Sequence, residues 1–173
     1  RRAVQHAQGA VDYDRTRPHR RYAALRRRNS RTPVLPAMRR PIPKVAVVID
    51  TSGSMGDADV NAALAETDAV LKCNGSAVTF VAADSRIQSH QKVRSVREAK
   101  KLIKGGGGTN FVPVFDALKK DGADRPDIIV FVTDGMGTAP AVKPQWAHVI
   151  WVIVGRWTRD PRWGEIIKVE EAA

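Results

Sequence analysis

The run KVAVVIDTSGSMGDADV, residues 44–60, drives five apolar residues into an aspartate and follows it with two serines flanking a glycine. Unbroken apolar residues at 45–49, rich in valine and isoleucine, read as a strand buried on both faces, because a half-exposed strand would alternate with polar positions. Asp50 stands where that strand ends. Alternate spacing in an extended loop lets Asp50, Ser52 and Ser54 point to one side, while Gly53 and Gly56 permit a tight bend. Beyond the loop, Asp57 is expected to cap a helix through about Cys73, with Val60, Leu64, Val70 and Leu71 roughly on one face and the Asn-Gly pair at 74–75 ending it.

Working outward, AVTFVAA at 77–83 predicts a second strand, and Asp-Ser at 84–85 is a short turn into a weaker segment, RIQSHQ. So short a connection favours an antiparallel pair at the sheet edge. Ser95 followed three residues later by Glu98 forms a capping box and predicts a helix over 95–103, which stops at the glycines 105–108. NFVPVFDALKK at 110–120 predicts another helix, with Pro113 in the first turn where a missing N–H costs little. DIIVFVTDG reads as a buried strand ending in a loop, HVIWVIV at 148–154 as a further strand, and EIIKV at 165–169 as the last. Apolar runs alternating with helical patterns predict an α/β class: an open, mainly parallel sheet with helices on both faces. Trp146, Trp151, Trp157 and Trp163 are expected in core and edge packing, Trp157 and Trp163 alternatively against another domain.

The chain has 173 residues, 43% of them hydrophobic, which suits one domain plus an extra segment. Its one cysteine, Cys73, cannot form an internal disulfide, so a reducing compartment is expected. No apolar run approaches the roughly 20 residues that span a bilayer, and RRAVQHAQGA at the N-terminus lacks the apolar centre of a signal peptide. A cytoplasmic protein without membrane association is the expectation. The absence of an initial methionine suggests a piece of something longer.

The net charge of +11 is concentrated: residues 1–44 hold 13 Lys and Arg against 2 Asp and Glu, and residues 45–173 hold 16 against 16. The sequence therefore divides into a basic, Arg- and Pro-rich segment, 1–43, and an electrically neutral domain, 44–173. Five prolines predict that the segment is largely extended or irregular, with a short helix around 20–28. It reads as a linker or a brace ahead of a nucleic-acid-binding arm, in which arginine would meet phosphate and Tyr13 or Tyr22 would stack on bases.

In open parallel sheets ligands bind beyond the carboxyl ends of the strands. Three loops stand there: Asp50 with Ser52 and Ser54, Thr109 in GGGGTN, and Asp134 in TDG. The set offers only oxygen, two carboxylates and three hydroxyls, which suits Mg²⁺ or Mn²⁺ rather than zinc or copper. Taken singly, the first fragment also fits a helix-capping loop and TDG an ordinary turn. No Gly-Lys-Ser/Thr follows the glycines, as a nucleotide P-loop would need. Ser52 stands where an aspartyl-phosphate enzyme usually has a second aspartate, and Ser54 is in no G-x-S-x-G elbow and has no well-placed histidine, since His148 begins a strand.

Joined in order and spacing, these residues resemble the metal-ion-dependent adhesion site of von Willebrand factor type A (VWA) domains, over about residues 44–169. The resemblance implies a Rossmann-like sheet of six strands, one antiparallel at the edge, flanked by helices. It implies a Mg²⁺ (or Mn²⁺) bound by Ser52, Ser54 and Thr109, with Asp50 and Asp134 acting directly or through waters. Hydroxyls donate little charge, so such an ion stays electrophilic and keeps a position for an Asp or Glu of a protein partner. A narrower likeness, carried by DYDRTRPHRRYAALRRRNSRTPVLPAMRRP at 12–41 and WGEIIKV at 163–169, is to the VWA-like module ending a bacterial metallopeptidase-like family whose zinc-type motif lies upstream. This chain contains no HExxH. Bacterial VWA proteins of this kind often work beside MoxR-type AAA+ ATPases, which makes such an ATPase the implied partner. The resulting expectation is a metal-dependent protein-interaction module, not itself an enzyme. The alternative is an RNA-binding VWA protein, similar in logic to Ro-type particles, and a metal-dependent phosphoryl-transfer enzyme acting through Asp50 is the least favoured class.

Overall fold

The computed structural model describes residues 12–29, 31, 33–34, 36–39, 42–103, 106–155 and 161–169; Gly105, Trp157 and residues 1–11 are among those outside it. The chain forms two compact units. In the smaller, β1 (Asp12–Pro18) pairs antiparallel with β2 (Pro36–Arg39), and α1 (Tyr22–Arg28) lies between them in sequence. The helix falls where the sequence predicts one, and it buries no residue. The β1–β2 ladder was not expected. Its prolines, Pro18 and Pro36, sit at strand ends, where a missing N–H removes no interior ladder bond.

The larger unit holds β3 (Val45–Asp50), α2 (Asp57–Asn74), β4 (Val78–Ala83), β5 (Ile87–Val93), α3 (Val96–Leu102), α4 (Val112–Lys120), β6 (Ile128–Thr133), β7 (His148–Val154) and β8 (Glu165–Val169). The sheet order is β5-β4-β3-β6-β7-β8. Every neighbouring pair is parallel except β4 with β5, the antiparallel pair expected at the edge. Strands β3, β4 and β6 are buried along their whole length, which is why their sequences run apolar without alternation.

The pleat sends successive residues to opposite faces. Val45, Val47 and Ile49 join a core with Ala63, Leu64, Val70 and Leu71 of α2 and Ala99 of α3. Ala46 and Val48 join the other core, with Val114, Phe115 and Leu118 of α4. This second core is aromatic: the Phe111 and Phe131 rings lie 4.5 Å apart, and Phe131 and Trp151 4.8 Å. Trp163 closes it edge-on to Trp151, whose indole N–H donates to the Trp163 carbonyl at 2.8 Å. Continuing the alternation, Asp50 falls on the α4 side, in line with Thr133 at the end of β6.

Helix ends show one departure from the sequence reading. Asp57 does not cap α2: Gly56 is the cap, and the Asp59 carboxylate accepts its N–H at 3.1 Å. An acid in the first turn can turn back on the cap N–H, so the capping role shifts one residue upstream and leaves Asp57 in the helix. Gly75, at φ 64°, ends α2 in the left-handed conformation that glycine adopts without strain. Ser95 caps α3 by accepting from Glu98 N–H, while the Glu98 carboxylate takes the N–H of Arg94. No helix among the described residues is long and apolar enough to cross a membrane.

Candidate functional site

The central strand ends at Asp50, whose residue is wholly buried. One carboxylate oxygen accepts the Ser52 N–H at 2.9 Å and the other the Thr133 hydroxyl at 2.8 Å. Thr133 in turn accepts the Gly135 N–H at 3.1 Å, so its hydroxyl links the ends of β3 and β6. The Asp50 carboxyl is pushed above the usual carboxylate range by burial, which outweighs these hydrogen bonds, and the nearby Asp134 charge pushes the same way. Ser52 is buried, Ser54 exposed, and their hydroxyl oxygens are 3.0 Å apart.

The glycine-rich loop is laced to this one. Gly53 N–H donates to the Gly107 carbonyl at 3.1 Å, and Gly106 N–H to the Thr51 carbonyl at 3.0 Å. Asp84, at the end of β4, backs the loop: a Cβ added to Gly107 would lie 2.7 Å from its carboxylate oxygen. That carboxylate also accepts from Arg86 N–H at 2.8 Å and the Gln88 amide at 2.9 Å. Burial opposes its charge, but these bonds and the Gly107 amide prevail and hold its pKa below the ordinary value.

Thr109 is placed by its neighbours. Asn110 and Phe111 donate N–H bonds to the Asp84 and Thr138 carbonyls, at 3.4 and 3.1 Å. The Thr109 methyl packs so closely on Gly137 that any Cβ there would meet it at 2.6 Å. Asp134, 5% exposed, follows Thr133 directly, and its carboxylate accepts the Met136 N–H at 2.9 Å. The structure thus joins Asp50, Ser52 and Ser54 in one loop, ties the loop leading to Thr109 against it, and sets Asp134 one residue beyond the threonine that holds Asp50.

Two residues of this scaffold were missed in the sequence. Asp84 was read only as a turn, although it too follows a buried strand. Thr133 was read as strand, and only the register of β6 against β3 reveals its bond to a residue 83 positions away. Met55, beside the serines, packs against the core under α2. Asparagine 110 takes the Val112 N–H at 3.2 Å and so starts α4. We expect Asp84→Asn to lower the unfolding free energy by about 1–3 kcal/mol, measured by urea denaturation, because an amide cannot accept all three donors that meet the carboxylate.

Among the described residues no group of three or more His, Cys, Asp or Glu is placed to hold a metal ion. A metal in this site would depend on hydroxyl oxygen, and the donors fit a small hard cation. Adjacent corners of an octahedron with metal–oxygen bonds of ~2.1 Å are ~3.0 Å apart, and the Ser52 and Ser54 oxygens stand at 3.0 Å. Two buried aspartates sit together here, and among the described residues neither forms an ion pair with Lys, Arg or His.

Comparison with known proteins places the fold. Residues 45–170 match the family described as VWA-like domain (DUF2201). The chain belongs to this VWA-like family. An uncharacterized protein of Thermotoga maritima is 31% identical over 131 residues, covering 75% of this chain and 32% of that protein. The VWA-like chain thus spans about a third of that relative's length. The crystal structure of the Deinococcus radiodurans RO (RSR) protein superposes with a TM-score of 0.48 at 16% identity, over 73% of this chain and 31% of that one. VWA-like domains commonly mediate protein interactions, so membership suggests an interaction module.

Proposed function

We propose that this VWA-like domain is a metal-dependent protein-interaction module of the cytoplasm. In this reading Ser52, Ser54 and Thr109 hold Mg²⁺ or Mn²⁺, and Asp50 and Asp134 balance its charge directly or through waters. An Asp or Glu from a protein partner completes the site. The observation that carries the reading is the pair of buried aspartates at one strand-end crevice, with the Ser52 and Ser54 hydroxyls 3.0 Å apart in the loop after Asp50, and with neither aspartate ion-paired among the described residues. Burial, with the neighbouring Asp134 charge, opposes ionisation of Asp50, so a divalent cation supplies what the protein lacks. The module itself performs no catalytic step. The resemblance in its motifs makes a MoxR-type AAA+ ATPase the favoured class of partner, and a larger metallopeptidase-like protein the favoured parent.

A pH-dependent stabilisation tests it. Because the folded Asp50 pKa is raised, its contribution to stability is fully present below the ordinary aspartate value and is lost as pH rises through the raised value. Without metal, this contribution makes the protein less stable at neutral pH than in mild acid. Mg²⁺ should reverse the trend at neutral pH, adding about 2.7 kcal/mol at a hundredfold excess over its Kd. Thermal unfolding across pH, with EDTA or Mg²⁺, checks both signs; a midpoint unmoved by millimolar Mg²⁺ and Mn²⁺ at neutral pH counts against the reading.

A second reading, RNA binding, is favoured by one observation: Arg17, Arg20, Arg21, Arg26, Arg27, Arg28 and Arg31 are all exposed. It requires RNA affinity that falls steeply with salt and vanishes when residues 1–43 are removed.

A further inference from the structure

A cavity of about 280 Å³ opens beside the candidate site on the α4 side of the sheet. Its walls are continuous with the site. Thr133, whose hydroxyl holds Asp50, and Gly135, the residue after Asp134, line it. Phe111, two residues past Thr109, and Trp151 form its buried base, and half-buried Trp163 forms a side. The indole N–H groups are already spent, Trp151 on the Trp163 carbonyl and Trp163 on the Pro140 carbonyl at 2.7 Å. Apart from exposed Thr138 and, at the mouth, Arg162, what remains offered is ring surface, alanine and proline side chains and glycine backbone, which suits an apolar ring more than a polar ligand. The volume agrees, since a cavity of ~150 Å³ already admits benzene. At the mouth Arg162 is exposed and makes no ion pair among the described residues.

We propose that this cavity receives an aromatic side chain of the same partner segment whose carboxylate reaches the Asp50–Asp134 site. The inference rests on the interaction reading above and gives the partner a chemistry: an acidic residue followed closely by Trp, Tyr or Phe, in an acidic stretch that Arg162 attracts. Thr133 and Gly135 are shared by the two halves, so one short peptide spans both. An aromatic anchor in a pocket beside a polar contact is the arrangement that concentrates binding energy at interfaces.

The probes are capped peptides of glycine carrying one Asp and one Trp separated by zero, one or two glycines, with matched peptides having Ala for Trp or Asn for Asp. Binding to the full chain in Mg²⁺ is followed by fluorescence anisotropy and by ¹⁵N NMR of Gly137, Ala139 and the Trp163 indole, and Mn²⁺ binding is measured on the same protein. We expect the best Asp–Trp spacing to bind roughly tenfold or more tightly than its Ala counterpart. The pocket signals should shift, and Asp→Asn or EDTA should weaken binding. Ala141→Trp, at an exposed rim position, should erase the Trp preference while leaving Mn²⁺ binding intact. Equal binding of Trp and Ala peptides, silent pocket signals at millimolar peptide, or a Trp preference surviving Ala141→Trp would overturn the pocket alone if Mn²⁺ binds. A Trp preference indifferent to Asp→Asn would overturn its coupling to the site. Failure of Mn²⁺ binding would remove the interaction reading and this inference with it.

Discussion

Asp50→Asn is expected to cost roughly ten- to a hundredfold in divalent-cation affinity while leaving the metal-free fold at least as stable as the wild type. The carboxylate is wholly buried and accepts from Ser52 N–H and the Thr133 hydroxyl. The amide oxygen can still take the Ser52 N–H. Its NH₂ can donate to Thr133, whose oxygen has a second lone pair beyond the one taken by Gly135. The bonds therefore survive the exchange and only the charge goes, and that charge is the one burial penalises. Asp50→Ala differs: it strands both donors and is expected to destabilise by about 1–3 kcal/mol. Urea unfolding in EDTA and in Mg²⁺ separates the effects. Should the Asn variant prove much less stable without metal, Asp50 would be a structural acid rather than half of a cation site.

Gly137→Ala should both loosen the fold and weaken the site. A Cβ at Gly137 would lie 2.1 Å from the tip of the Phe111 ring and 2.6 Å from the Thr109 methyl. Phe111 cannot yield easily, since its ring is wedged 4.5 Å from Phe131 and 6.1 Å from Trp151. The strain therefore falls on Thr109 and the loop that carries it. Overpacking of this kind costs about 1–3 kcal/mol. Gly108→Ala is the control, because its Cβ would meet nothing within 4 Å, and it should stay within about 0.5 kcal/mol of wild type. If Gly137→Ala binds Mn²⁺ as tightly as Gly108→Ala, Thr109 has no part in holding the ion.

Much of this was legible in the sequence because burial on both faces leaves a direct mark. The strands β3, β6 and β7 appear as unbroken apolar runs, and because β3 and β6 deliver their last residues to the same edge of the sheet, the loops carrying Asp50 and Asp134 could be inspected together with the glycine loop before Thr109. The short Asp-Ser turn announced the antiparallel edge pair. What stayed hidden depends on register. Nothing local to Thr133 says that β6 lies beside β3, and so its bond to Asp50 could not be read. Asp84 was hidden differently: it obeys the same strand-end rule as Asp50 and Asp134, but an acid beside serine in a tight turn reads as turn chemistry. Its grip on Gly107 follows from the glycine having no side chain, which is a fact about space rather than pattern. The β1–β2 ladder was masked by prolines, which argue against strands unless they sit at the ends. Asp57 lost the cap of α2 because Asp59 reaches back to Gly56.

The most direct test is a titration of Mn²⁺ into the purified chain followed by electron paramagnetic resonance, on wild type and Asp50→Asn, with Mg²⁺ as competitor. Saturable binding that Mg²⁺ displaces and that the variant loses is the predicted result. Folded wild-type protein that binds no Mn²⁺ at millimolar concentration, or a variant that binds it equally well, would contradict the assignment of this crevice as a cation site.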